Sequence, residues 1–65
     1  MENPLEQARR HVSEGEHIVA EQESRVAKLR RKGAETGQAE TLLDSYRMML
    51  AEMRAHLAAE EKPGR

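Results

Sequence analysis

Leu5, Ala8, Val12, Gly15, Val19, Gln22, Val26, Leu29 and Gly33 follow one another along the chain at alternating steps of three and four residues. That alternation keeps every position on one stripe of an α-helix and is the seam of a coiled coil. We assign Leu5, Val12, Val19 and Val26 to the a positions and Ala8, Gly15, Gln22 and Leu29 to d. A second stripe, Ala39, Leu43, Tyr46, Leu50, Met53 and Leu57, steps the same way and fades at EEKPGR, where Pro63 and Gly64 end any helix.

The boundaries carry their own signals. Asn3 suits an N-cap, Pro4 the first helical position, and Glu6 the acid of a capping box. In KGAETGQ, Gly33 suits a C-terminal glycine stop and Thr36 an N-cap. The pattern therefore predicts a first helix over about 4–32, a turn over 33–36, a second helix over about 37–61 and a flexible tail over 62–65. A connection this short makes the helices antiparallel neighbours. The expected fold is all-α: a single-domain antiparallel two-helix hairpin, coiled-coil-like, dimerising into a four-helix bundle.

Gly15 is the position that disturbs this picture, because glycine is about 1 kcal/mol worse than alanine inside a helix. Ser13-Glu14-Gly15-Glu16 could even start a new helix as a capping box. The valines at 12, 19 and 26 decide against a break, since their seven-residue spacing runs through the glycine without slipping. Gly15 is thus expected to be a close-packing position, opposite Leu57 and one heptad after Ala8.

Charge supplies a register. With the turn centred near Glu35 and Thr36, core layers are expected to pair Leu29 with Leu43, Val26 with Tyr46, Gln22 with Leu50, Val19 with Met53 and Gly15 with Leu57. The e positions are then Arg9, Glu16, Glu23 and Arg30 on the first helix and Glu40, Arg47, Arg54 and Glu61 on the second. In an antiparallel pair e faces e, which sets Arg30 against Glu40, Glu23 against Arg47, Glu16 against Arg54 and Arg9 against Glu61. All four are opposite in sign. Exposed pairs of this kind stabilise little, and their use is to specify pairing. Further pairs one helical turn apart, Glu6 with Arg10 and Glu21 with Arg25, are expected along the first helix.

The opposite flank is apolar where the e flank is charged. Its g positions include Ile18, Leu42 and Met49, with Met48 farther round and Met53 in the neighbouring seam. These five widen the apolar stripe beyond what one partner helix covers. We expect them to form an interface with a second copy or with another helical protein, to which methionine side chains adapt readily.

Composition changes the picture mainly by exclusion. A chain of 65 residues has room for one small domain with a thin core. It has no cysteine, so neither disulfide nor thiolate metal site staples it. The charged start MENPLEQARR lacks the apolar run of a signal peptide, and no stretch is long enough to span a membrane; a cytoplasmic protein is expected. Eleven Lys and Arg nearly cancel twelve Asp and Glu, for a net charge of -1, and with one tyrosine and no Phe or Trp there is no stacking platform for bases.

The stretch HVSEGEHIVAEQ, followed by Gly33 and Thr36 in the turn and Ala39, Leu42 and Leu43 entering the second helix, resembles a group of short alphaproteobacterial proteins, rhizobial ones especially. The matching residues of the first helix are His11, Val12, Glu14, Gly15, Glu16, Ile18 and Gln22. The resemblance covers nearly the whole chain and implies a bacterial setting and an intact helical-hairpin domain. It brings no activity, substrate or cofactor with it.

Candidate chemistry is sparse. His11 and His17 stand six apart, on different faces of one helix, and His56 is expected near Ile18, a turn or two from His11; no HExxH spacing is present. With no nucleophilic cysteine and no glycine-rich loop after a strand, neither an enzyme nor a cofactor is expected. The basic run RVAKLRRKG is the main alternative to a protein interface. Arg25, Lys28, Arg31 and Lys32 are candidate phosphate contacts for a nucleic acid, Arg30 being assigned to Glu40.

Overall fold

The computed structural model describes residues 2–62, and the Pro63-Gly64 stop and most of the expected tail lie outside them. Two helices, α1 (Pro4–Arg31) and α2 (Gly37–Glu61), pack against each other, and there is no strand among the described residues. The α1 N-terminus carries the full capping box: the Glu6 backbone N–H donates to Asn3 Oδ1 at 2.8 Å, and the Asn3 N–H donates to Glu6 Oε1 at 3.3 Å. Pro4 follows the cap, where a missing N–H costs nothing.

At the other end α1 stops in a Schellman motif. Gly33 has φ +72°, its N–H donates to Arg30 O at 3.0 Å, and the Ala34 N–H donates to Leu29 O at 2.9 Å. Only a residue without a Cβ adopts that backbone freely, so Gly33 turns the chain back on itself.

Thr36 does stand at the N-cap of α2, but not as the capping side chain expected of it. Its φ and ψ of -118° and -2° are helical rather than extended, and it makes no side-chain cap bond. Its hydroxyl instead donates to Glu40 Oε2 at 2.9 Å. The helix start is then complemented by the Glu40 carboxylate in the first turn, a favourable place for negative charge.

The seam is built from unequal halves. Ala8, Val12, Gly15, Val19, Gln22 and Val26 are buried on α1, while α2 buries Leu43 and Leu50 and packs Ala39, Tyr46, Met53 and Leu57 half-buried against them. Small side chains on one helix receive large ones from the other. The molecule measures 51 × 21 × 13 Å, two helices wide and one helix thick. As a result no large side chain among the described residues falls below 2% exposure.

Gln22 is the one polar residue in this seam, 5% exposed. Its Nε2 donates to the Ala39 carbonyl at 2.9 Å, so it faces the start of α2 rather than Leu50 as expected. No buried polar side-chain atom among the described residues lacks a partner.

Candidate functional site

The two flanks of the seam are constructed differently, and the difference defines the candidate site. On the e flank all four cross-helix ion pairs form: Arg30 to Glu40 at 2.6 Å, Arg47 to Glu23 at 3.0 Å, Arg54 to Glu16 at 3.3 Å and Arg9 to Glu61 at 3.9 Å. Their side chains are 42% to 66% exposed. Beneath them run two shallow clefts, one floored by Val26 and Leu43, the other by Val19 and Leu50, with the paired side chains along the walls. The aliphatic stems of the arginines shield these core residues while the heads stay wet.

Glu40 is the most engaged of these carboxylates. The Thr36 hydroxyl, and after it the Arg30 guanidinium, hold its carboxyl below the ordinary value of 4.5. Elsewhere on the surface the pairs one turn apart are not the expected ones. Glu6 is committed to the capping box, so Arg10 turns to Glu2 at 2.9 Å and Glu14 at 3.3 Å. Glu21 lies 3.2 Å from His17, on the side away from Arg25. The Arg10 hydrogen bond lowers the Glu2 carboxyl as well.

Gly15 shows how the core register differs from the one inferred for it. A Cβ built there would lie 3.0 Å from Met53 Sδ and 3.1 Å from Leu50 Cδ1, so the residues facing Gly15 are Leu50 and Met53, not Leu57. The cause is the lean of helical side chains towards their own N-terminus. In an antiparallel pair the two leans are opposite, so long Arg and Glu arms meet although their Cα atoms are not level. A glycine has no arm and reports the backbone level itself. Carrying the charged register into the core therefore placed the partner about a turn too far from the connection. Leu57 still packs against the core cluster, and Ala8, 2% exposed, is buried in the seam.

The g flank has no cross-helix ion pair among the described residues. A cleft lined by Ala8, His11, Met49, Glu52, Met53 and His56 runs along it, bringing His11 and His56 to one groove instead of a turn or two apart. His56 Nε2 lies 3.7 Å from Glu60. No group of three or more His, Asp or Glu residues among those described has the geometry to hold a metal ion.

The five residues singled out for an interface separate on inspection. Met53 turns into the hairpin, its sulfur closing over Gly15. Ile18 and Met49 are half-buried, Leu42 is 40% exposed, and Met48, 68% exposed, lies on the outward face of α2. Arg25, Lys28, Arg31 and Lys32 are all exposed near the turn, and no ion pair among the described residues engages them.

Fold and surface together define a class: a coiled-coil-like helical hairpin, charged and paired along one flank and apolar at the centre of the other. No helix in it is long and apolar enough to cross a membrane. Comparison of the chain with protein-family models, with curated proteins and with solved structures finds no match in any of the three.

Proposed function

We infer that the protein is a small non-enzymatic interaction module of the bacterial cytoplasm, active as a homodimer in which two hairpins meet through their g flanks as a four-helix bundle. The observation that carries this reading is the apolar centre of the g flank: Ile18, Leu42 and Met49 lie on the side of a one-helix-thick hairpin where no cross-helix ion pair among the described residues covers the seam. The bacterial setting rests on the resemblance of HVSEGEHIVAEQ and the second-helix start to alphaproteobacterial hairpins.

Area supports a second copy as the cover. The hairpin exposes 5015 Å². A compact protein of 7.4 kDa exposes about 4,200 Å². The excess of about 800 Å² is what each partner buries in an interface of standard size. Native mass spectrometry at micromolar concentration should give twice the chain mass for the natural protein and the single mass for Ile18→Glu. A natural protein at the single mass would overturn the reading.

A second reading has one observation in its favour, the exposed and unpaired quartet Arg25, Lys28, Arg31 and Lys32. Four cations at the turn end could contact the phosphates of a nucleic acid, and such binding would weaken steeply with salt. A salt-sensitive gel shift lost in the double variant Arg31→Glu, Lys32→Glu would favour it; no shift at low salt would dismiss it.

A further inference from the structure

Charge is distributed unevenly along the g flank. Towards the turn it carries Arg25 and Lys28, which line one groove with Glu21 and Ser24, and then Lys32. Glu21 offsets one of these three cations, leaving this end two positive charges in excess. Towards the termini it carries Glu14 and Glu52, with His11 and His56 between them. Glu14 shares Arg10 with Glu2, leaving that trio one negative charge in excess. Ile18 and Met49 occupy the middle. One flank is thus basic at one end, apolar at its centre and acidic at the other.

Two copies related by a two-fold axis can press such flanks together in two ways. With the axis along the hairpin, both turns lie at the same end. Arg25, Lys28 and Lys32 of both copies then crowd together, and Glu14 of each copy lies level with Glu52 of the other. With the axis across the hairpin, the turns lie at opposite ends. The basic stretch of one copy then lies towards the acidic stretch of the other, while Ile18 and Met49 stay at the centre in both cases. Like charges juxtaposed in an interface penalise the wrong arrangement, and unlike charges steer the right one.

Resting on the dimeric reading above, we propose that the partner for this flank is a second copy lying antiparallel, its turn beside the first copy's termini, with Arg25 and Lys28 of each chain set against the Glu14 and Glu52 end of the other. The orientation is encoded by the charge gradient and the affinity by the apolar centre.

The chain has no cysteine, so Ala34→Cys in the turn takes a single spin label per copy. In the antiparallel dimer the two labels stand about 40 Å apart, the length of the 28-residue α1 at 1.5 Å per residue. With both turns at one end they stand about 20 Å apart, two helix diameters. The longer distance is expected, and the shorter one overturns the orientation while leaving the dimer intact. A labelled protein that stays monomeric fails the dimeric reading instead. Charge reversal gives a second readout. Arg25→Glu with Lys28→Glu should weaken dimerisation at least tenfold, and adding Glu14→Lys with Glu52→Lys should restore it. Unchanged dimerisation in the first variant, or no recovery in the second, counts against the antiparallel arrangement. All four positions are exposed, and circular dichroism checks that the helices persist.

Discussion

The e and g flanks border the same core residues, yet each is finished in its own way. Along the e flank every position is charged, and each charge meets its opposite across the groove, from Arg30 and Glu40 beside the turn to Arg9 and Glu61 at the far end. Along the g flank the corresponding positions are His11, Ile18, Arg25 and Lys32 on α1 and Leu42, Met49 and His56 on α2, so its centre is apolar and its cations have no partner across the groove among the described residues. An exposed ion pair returns little net stability, because its attraction is weak in water, is screened by salt and costs two long side chains their freedom. It does penalise any register that sets like charges together. The e flank therefore specifies how one chain folds back on itself, while the g flank retains the apolar surface that a partner would cover.

The largest effect on the hairpin should come from the layer both flanks share. Leu50 is 5% exposed and sits over Gly15, and Leu50→Ala should cost about 2–5 kcal/mol by removing buried contacts and leaving a cavity. Urea unfolding followed by circular dichroism reads that loss directly. A mutant within 1 kcal/mol of the natural protein by this measure would mean that Leu50 is not a core residue, whatever holds at the flanks.

Gly15→Leu comes next. A Cβ already falls 3.0 Å from Met53 Sδ and 3.1 Å from Leu50 Cδ1, so a branched side chain must push helix α2 away. Overpacking of this sort costs about 1–3 kcal/mol, against the roughly 1 kcal/mol that leaving glycine returns in helix propensity. The melting temperature should fall. Gly15→Ala should lie near zero, because its gain in helix propensity offsets the few tenths of an ångström by which the Met53 sulfur and the buried Leu50 methyl must give.

Breaking one pair on the e flank should matter less. Arg54→Glu sets a like charge against Glu16, and the change in stability should stay below about 1 kcal/mol, with most of it recovered by adding Glu16→Arg. The smallest effect is that of acid. Because the Glu40 carboxyl is held below its unfolded value by Thr36 and Arg30, its contribution is fully present above about pH 4.5 and is lost as pH falls through the lowered native value. Glu40→Gln should therefore lower the urea midpoint at neutral pH and make no difference in strong acid. A midpoint difference that persists in acid would assign its effect to packing and not to charge.

Much of the hairpin could be read from residue order, and the parts that could not have identifiable causes. The Asn3 capping box, the Gly33 stop and the four cross-helix pairs depend on residue type at fixed spacing, which a sequence displays directly. Thr36 stands at the N-cap as its residue type and place indicate, but its backbone is helical there rather than extended and its hydroxyl donates to the Glu40 carboxylate without accepting a cap bond, a detail of backbone angles that residue order does not display. The Gly15 layer depended on how far side chains lean, a property of three dimensions. Met53 was assigned to the exterior as well as the seam because methionine suits both, and the space above Gly15 draws it inward. The cleft holding His11 and His56 came from the same shift of the helix pairing. The heptad register already separates Met49, at g, from Met48 farther round, and the folded hairpin half-buries the first and leaves the second 68% exposed.

The dimeric reading makes the g flank an interface and leaves the e flank outside it. Sedimentation equilibrium at micromolar concentration on three proteins, natural, Met49→Glu and Arg54→Glu, tests it most directly. About twice the 7.4 kDa chain mass is expected for the natural protein and for Arg54→Glu, and the single mass for Met49→Glu. Three equal masses, or loss of the dimer in Arg54→Glu alone, would contradict it.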